Sequence, residues 1–498
     1  MQEPLDAAAL ILLSADKKEV LWARRNPELR FLGGFHGFTG GKVEPDDTSC
    51  DVRNEPDAEK RSLIACAVRE TFEEVGVLLV RNGEKLTKGQ RRSLHDDLVS
   101  GREQFSAILD HWDLWIDAED LTYTGEWTTP DFSPIRFRTH FFAAVCPDKQ
   151  TPYQAITELV DIEFTAPGDA LGRWSSAGVL IAPPVLFAVE ELERHSGSEI
   201  RLEVAASALR KRSARFDGMV HQMEMNSRLI LLPLRTKTLP PATHTNCFIV
   251  GKNRFVVIDA ASPDPSEHEK LFSVVDPMVE GGAVCEAILV SHLHPDHFGG
   301  ESALKEHLFE KFGIDVPVTG HRLTAEALDG KVRFDEILDS DHSYTLQDAD
   351  GTEFALDVLH TPGHARGHLC FYDRGYGFLL SMDNVLGAGS VLIAPPEGNM
   401  TDYLASLERM RDLPGLNFLC GSHGQAVSDA RGKIGEYIAH RLEREREVAE
   451  AMNGGASTAE EVARAVYKDL DPALFPLAVR SAEAHIERLN ELGGSAAA

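Results

Sequence analysis

The ten residues Ser291–Gly300, S-H-L-H-P-D-H-F-G-G, place His292, His294, Asp296 and His297 within six positions. Imidazoles and a carboxylate at this density suit zinc or a similar divalent cation. A single histidine after an apolar run is ordinarily a satisfied structural residue, but four ligand-type side chains in six form a metal-binding pattern. A second stretch, Ala65–Val77, reads A-C-A-V-R-E-T-F-E-E-V-G-V. On a helix, Glu70, Glu73 and Glu74 share one face through their three- and four-residue spacings. Such a face is commonly just solvated. Carboxylates crowded beside a single Arg69 nevertheless repel one another unless hard cations such as Mg²⁺ or Mn²⁺ neutralise them.

The flanking sequence supplies elements to carry these groups. Ala287–Val290 is short and apolar, so it reads as a buried strand ending where the first ligands begin. A turn after a strand can converge several side chains on one point. Ala58–Val75 has helical periodicity, and Gly76 sits where a helix stops. Ahead of it, Arg30–Asp47 is rich in glycines that allow close backbone approach. Leu10–Leu13 and Val20–Trp22 flank Ser14–Glu19, a polar hairpin connection. Leu86–Leu114 and Val185–Leu192 have helical spacing, and the basic Val204–Arg215, with Arg210-Lys211-Arg212, reads as a solvated linker.

From Ser227 the pattern changes to short strands: Leu229–Leu234, Asn246–Val250, Arg254–Asp259 and Ala287–Val290. Three further ligand-type residues each follow an apolar run. They are His364 in T-P-G-H-A-R-G-H, Asp383 in L-L-S-M-D-N-V and His423 in L-C-G-S-H-G. A site built along one edge of a sheet requires that placement. His268, His307, His321 and His342 have no comparable context and read as structural. After Gly435 come helical stretches Tyr437–Met452, Thr458–Leu470 and Leu474–Leu492, with Ser457 to Glu460 as a capping-box pattern.

The chain has 498 residues, 43% hydrophobic and 26% charged, which suits a soluble protein of roughly three domains. Its formal net charge of −29 disfavours a general polyanion-binding surface. Seven scattered cysteines without a C-x-x-C pair argue against a disulfide framework or thiolate zinc site. The apolar run Ala7–Leu13 is too short to span a bilayer, and no basic residue precedes it. The expectation is a cytoplasmic protein without a membrane partner.

R-E-T-F-E-E-V-G-V resembles the second half of the Nudix box, and T-G-G-K-V-E-P-D-D its first half. The resemblance implies an α/β/α sandwich in which Glu70, Glu73 and Glu74 hold Mg²⁺ or Mn²⁺, Glu73 acts as a catalytic carboxylate and Arg69 pairs with a carboxylate. There are departures. Thr71 replaces an apolar residue, Asp47 stands where the box has Glu, and 21 residues separate Asp47 from Arg69 where the box has seven. Interrupted boxes of this kind, L-W-A-R-R-N-P-E-L-R and Phe132–Phe142 resemble the coenzyme A diphosphatase branch. That branch cleaves a nucleoside-diphosphate-linked pyrophosphate.

The ordered set of His292, His294, Asp296, His297, His364, Asp383 and His423 resembles the metallo-β-lactamase superfamily, an αββα sandwich with a two-metal cleft. It implies two Zn²⁺: one on His292, His294 and His364, the other on Asp296, His297 and His423, with Asp383 bridging. Asp296 counts among the catalytic residues. Asp259 is expected to support the ligand loop rather than bind metal. Two cations about 3.5–4 Å apart lower the pKa of a bridging water and polarise the carbonyl or phosphoryl group under attack. His368 is either an oxyanion or phosphate contact or a residue that supports a ligand. The tail resembles the winged-helix-like end of lactamase-beta-like protein 2 and its relatives, single-strand-preferring endoribonucleases among them.

These readings give an α/β multi-domain chain: a Nudix-like domain at 1–215, a metallo-β-lactamase domain at 216–435 and a winged-helix-like helical domain at 436–498. Arg441–Ala498 carries 7 Lys/Arg against 11 Asp/Glu, so the tail reads as a packing or dimerisation module walling the cleft. Three functions compete. One is an ester or thioester hydrolase, with acyl-coenzyme A or a nucleoside diphosphate conjugate as small-molecule substrate. The second is an endoribonuclease on single-stranded RNA with a silent or regulatory Nudix domain. The third is a binding protein with silent sites.

Overall fold

The computed structural model describes residues 3–133, 135–387, 389–468 and 470–495. Pro134 of the Phe132–Phe142 motif, Asp469 of the expected helix Thr458–Leu470 and residues 1–2, 388 and 496–498 lie outside the described residues. The chain divides into two compact units, Met1–Met225 and Asn226–Ala498.

In the first unit, the strand Leu5–Leu13 pairs in parallel with Phe137–Val145 from Leu5↔Phe137 to Leu13↔Val145. It also pairs antiparallel with Thr39–Lys42 and, through the Ser14–Glu19 turn, with Val20–Arg25. Its side chains alternate faces, as a pleated strand dictates. Ala8, Leu10 and Leu12 join one core with Leu63, Ile64, Val68, Phe72 and Val75 of the helix Ala58–Val75. Ala9, Ile11 and Leu13 join another with Phe187, Ala188 and Leu192 of the helix Pro183–Arg194 and Ala205 and Leu209 of the helix Leu202–Arg215. Helices on both faces make the sandwich, and each buried large apolar side chain contributes about 1.5–3 kcal/mol.

The helix Ala58–Val75 starts on Asp57, whose side chain accepts from the Glu59 and Lys60 amides, and stops on left-handed Gly76. Leu202–Arg215 is not the solvated linker its composition suggested. Ala205, Ala206 and Leu209 are buried, Arg212 pairs with Glu190, and its guanidinium lies 3.7 Å from the Phe187 ring centre. Long basic side chains cover apolar surface while their heads stay hydrated.

The second unit begins with an antiparallel run, Leu229–Arg235, His244–Gly251 and Arg254–Ile258. The last strand then pairs in parallel with Val284–Val290, which is followed across the sheet by Val318–His321 and Glu336–Leu338. The other half runs His342–Gln347, Glu353–His360, Leu369–Asp373 and Phe378–Met382 antiparallel, with Phe418–Gly421 parallel at the end. The helices Pro265–Glu280 and Glu301–Phe312 cover the first half. Met400–Arg411 and Ala430–Asn453 cover the second. Ala430–Asn453 runs unbroken through residues 435 and 436. Ala459–Val466 and Phe475–Ser495 complete a helical tail that packs around Val448, Val462, Ala463, Ala478 and Ala482. Its capping box lies one residue beyond the expected pair: Thr458 caps the Glu461 amide, and Glu461 also accepts from Ser457. All seven cysteines are free and buried, and no described helix is long and apolar enough to cross a membrane.

Candidate metal centres

The second unit brings seven predicted ligands to one edge of its sheet. His292, His294, Asp296 and His297 follow the strand Val284–Val290, and His364 follows Glu353–His360. Asp383 follows Phe378–Met382, and His423 follows Phe418–Gly421. Two groups result, His292/His294/His364/Asp383 and Asp296/His297/His423, each with its ligand atoms within 4.8 Å of one another. In the first, His294 Nδ1 lies 3.1 Å from His292 Nε2 and 2.9 Å from His364 Nε2. In the second, Asp296 Oδ2 lies 3.5 Å from His423 Nε2, and Asp296 Oδ1 lies 3.7 Å from His297 Nε2. Asp383 stands between them. Its Oδ2 is 3.5 Å from both His364 Nε2 and His297 Nε2, and its Oδ1 is 3.6 Å from His423 Nε2.

Hydrogen bonds behind the ligands fix which ring nitrogen faces the cluster. His364 Nδ1 donates to the Leu392 carbonyl at 2.9 Å and His423 Nδ1 to the His244 carbonyl at 2.8 Å. His297 Nδ1 lies 2.7 Å from Asp259 Oδ2, and that carboxylate also receives the Ser291 amide and hydroxyl. Asp259 therefore holds the ligand loop from behind, as the resemblance implied. The turn geometry is strained: Asp259, Ala261 and Met382 have φ of 53°, 42° and 45°. Non-glycine residues in this region cost on the order of 1–3 kcal/mol each and cluster at functional sites.

The donor set fits divalent cations. His297 Nε2 and Asp383 Oδ1 are buried without a hydrogen-bond partner, which is costly unless something occupies the space between them. Burial, with His297 adding, pushes His292 well below the usual imidazole range. Burial, with His364 adding, pushes His294 down to about 4. Both are therefore neutral donors. Against burial, His297 holds Asp383 well below the carboxylate range, so that group stays ionised. His297 itself, opposed by burial but flanked by Asp383 and Asp259, is pushed up. A cation at its Nε2 takes the place of that proton.

His368 lies directly behind the ligands, its ring 5.1 Å from that of His292 and 6.0 Å from that of His364. It is fully buried, Nδ1 engages Thr361 Oγ1 at 3.1 Å, and Nε2 accepts the Asp383 amide at 3.2 Å. With both nitrogens occupied, it positions the Asp383 backbone and has no free atom for a substrate oxyanion. Thr238 is a cleft residue that sequence reasoning missed. Its hydroxyl lies 3.4 Å from His423 Nε2, and no local pattern marks it because the contact spans 185 positions.

In the first unit, Glu70, Glu73 and Glu74, expected on one face, lie near the end of the helix Ala58–Val75 but do not converge like the imidazoles. Among the described residues, only the two His/Asp groups bring three ligand atoms within 4.8 Å. Arg69 Nη1 bonds Glu70 at 2.9 Å and Glu73 at 3.2 Å, and the Gly40 amide takes Glu74 at 2.9 Å. The rest of the guanidinium pairs with Asp47 at 2.8 and 3.0 Å, both side chains being buried. Asp47 thus supplies a carboxylate partner for Arg69 in spite of the long insertion. Thr71 satisfies its buried hydroxyl against Thr39 and the Ala67 carbonyl. A Cβ at Gly41 would lie 2.3 Å from the Glu70 carboxylate, so any larger residue there would displace the Glu70 side chain.

Burial raises all three glutamates, Glu74 well above its usual range and Glu73 up to about 7, where Glu70 and Glu44 add to burial and Arg69 opposes it. Three carboxylates disfavoured as anions are a donor set that hard cations would stabilise.

The model of the metallo-β-lactamase superfamily matches residues 240–423, and that of the NUDT19 Nudix domain matches residues 54–192. The chain is 26% identical over 245 residues to a beta-lactamase-like protein 2 homolog of Caenorhabditis elegans, covering 48% of this chain and 74% of that one. It is 29% identical over 232 residues to an atrochrysone carboxyl ACP thioesterase of Aspergillus chevalieri, covering 45% and 68%. Among solved structures, a NUDIX hydrolase from Alicyclobacillus acidocaldarius is 30% identical, with 42% of this chain and 97% of that one covered and a TM-score of 0.37.

Proposed function

From a chain that joins a Nudix domain to a metallo-β-lactamase superfamily domain, and is therefore a metal-dependent hydrolase, we propose a two-site enzyme acting on acyl-coenzyme A-type molecules. His292, His294, His364, Asp383, Asp296, His297 and His423 would hold a zinc pair that would supply Lewis acidity for thioester cleavage, and Glu70, Glu73 and Glu74 would hold Mg²⁺ or Mn²⁺ for pyrophosphate cleavage. The observation carrying the first half is the convergence of six donor residues around Asp383, with His297 Nε2 and Asp383 Oδ1 left without a partner.

Bound cations supply Lewis acidity and make a water acidic enough to react at neutral pH. The chain's own residues do the rest. Asp259, His368 and the Leu392 and His244 carbonyls hold the ligands in fixed orientations, so little reorganisation accompanies reaction. Thr238 Oγ1 lies beside His423 and Asp296, where it can orient a bound oxygen. In the first unit Glu73, raised to about 7 chiefly by burial, can accept a proton at neutral pH.

The thioester reading draws on the relative named as an atrochrysone carboxyl ACP thioesterase and on the resemblance of the interrupted Nudix box and L-W-A-R-R-N-P-E-L-R to the coenzyme A diphosphatase branch. Carrier proteins and coenzyme A present the same phosphopantetheine thioester. Single-stranded RNA is the weaker candidate because a net charge of −29 repels phosphate backbones.

The test is a panel of acyl-coenzyme A, coenzyme A and single-stranded RNA on wild type, His294→Ala and Glu73→Gln, with metal analysis of each protein. His294→Ala should lose thioester cleavage on the order of a thousandfold or more and keep pyrophosphate cleavage. Glu73→Gln should lose about 10²–10⁴ in pyrophosphate cleavage and keep the thioesterase. Thioester cleavage that survives His294→Ala, or RNA as the only substrate turned over, would sink the proposal.

A further inference from the structure

The chain between Asp383 and Asn399 touches three of the seven ligands. It starts at Asp383 itself. The Gly387 amide donates to the His423 carbonyl at 3.3 Å, and the Leu392 carbonyl receives His364 Nδ1 at 2.9 Å. The loop is pressed close to its neighbours: a Cβ at Gly387 would meet the Gln425 carbonyl at 2.1 Å, and one at Gly421 would meet the Val385 carbonyl at 2.5 Å. A displacement here therefore reaches the ligands with little slack to absorb it.

The side of this loop away from the ligands is held by helices. Arg441, on Ala430–Asn453, donates from Nη2 to the Val391 carbonyl and, at 3.2 Å, to Ser390 Oγ. One turn earlier, the Tyr437 hydroxyl donates to the Gly389 carbonyl at 2.9 Å and accepts the Leu386 amide at 3.3 Å. Tyr403, on Met400–Arg411, donates to the Asn384 carbonyl at 2.6 Å and lies under the Arg441 guanidinium at 5.5 Å. Arg441 is 3% exposed, and its Nε has no hydrogen-bond partner. Burying a guanidinium there is a poor way to gain packing, because these neutral partners, a carbonyl, a hydroxyl and a ring, include no counter-charge to offset desolvation. The charge is instead spent on the peptide next to the one that orients His364.

We propose that Arg441 and Tyr437 are positioning residues for the zinc pair, acting through the Ser390–Leu392 backbone on His364 and through Leu386 and Gly389 on the chain that joins Asp383 to His423. The inference rests on the reading above that divalent cations bind these seven residues. It gives the helical tail a role in the site: the helix that leads into the tail fixes the loop from which two ligands are oriented.

The full-length protein, loaded with Co²⁺ as the probe, decides it. Affinity is read by chelator competition and geometry by the visible ligand-field bands, in wild type, Arg441→Met, Arg441→Lys, Tyr437→Phe and Arg444→Met. Arg444 sits one turn further along, faces Tyr467 and pairs with Glu447, so it is the control for tail packing. Arg441→Met should weaken Co²⁺ binding about ten- to a hundredfold and alter the bands. Arg441→Lys should recover part of the loss, Tyr437→Phe should shift both readouts the same way by less, and Arg444→Met should match wild type.

Wild-type affinity and bands in both Arg441→Met and Tyr437→Phe overturn the inference, as does an equal loss in Arg444→Met. If Arg441→Met does not fold, Tyr437→Phe, which removes a single hydroxyl, decides alone. A wild-type protein that binds no Co²⁺ overturns the metal reading itself, an outcome distinct from normal binding with insensitive variants.

Discussion

The imidazole site and the glutamate site solve the problem of holding charge in opposite ways. Around Asp383 the donors are fixed from behind, by Asp259, His368 and the Leu392 and His244 carbonyls, and the atoms facing inward include two with no partner. Around Glu70, Glu73 and Glu74 the donors are already engaged, two by Arg69 and one by the Gly40 amide. On the proposed reading, the first site is pre-built for a cation, and the second would exchange internal pairs for one. Hydrogen bonds behind a ligand leave its donor atom free, whereas ion pairs in front use that atom up.

The contrast can be broken most forcefully at Arg69. Arg69→Met leaves Asp47 buried and unpaired, which should cost the first unit about 3–5 kcal/mol. Hydrogen exchange should speed up in the helix Ala58–Val75 and stay unchanged in the strand Val284–Val290. Equal exchange in both would mean that the Arg69 pairs do not hold the first site together.

A smaller effect sharpens the other half. Asp259→Asn keeps the size of a buried side chain but removes the charge on His297 Nδ1 and the Ser291 hydroxyl. Metal affinity at the second unit should fall about 10–100-fold, measured by chelator competition. Unchanged affinity would mean that the ligands do not depend on support from behind.

The smallest expected difference is in acid stability, where each unit carries its own buried neutral histidine. Burial, with Arg173 and Arg24 adding, lowers His36 to about 4. Burial, with Arg441, Arg444 and Arg488 adding, lowers His485 to about 3, and Glu445 Oε2 lies 3.9 Å away. A histidine whose folded value lies below its unfolded value of about 6.5 binds more protons when unfolded. The stability it supports is present above pH 6.5 and lost as pH falls toward the folded value. Melting temperatures should drop between about pH 6.5 and 4, with a shallower slope for the second unit in His485→Phe. An identical slope in that variant would refute the assignment of His485.

Much of the candidate site was legible because its chemistry is local. His292 to His297 lie in one turn, and His364, Asp383 and His423 each follow an apolar run. A strand ending in a ligand-type residue is visible without knowing the fold. The helix Ala58–Val75 was equally plain from its period and from Gly76. The linker reading of Val204–Arg215 failed because Arg210, Lys211 and Arg212 occupy only part of the helix surface, while Ala205, Ala206 and Leu209 bury another part.

The sequence by itself determined which side chains could bind metal and which elements would carry them, because residue type and short-range period depend only on neighbours along the chain. Only the tertiary structure decided which atom of each side chain faces inward. It set Asp47 against Arg69 across a long insertion and, of the two roles open to His368, put its Nε2 against the Asp383 amide. It also placed Arg441, an ordinary residue of a charged helix, against the loop that orients His364. The physical reason is the same in each case. Whether a polar group acts or supports depends on what desolvates it and what partners it, and those neighbours come from distant parts of the chain.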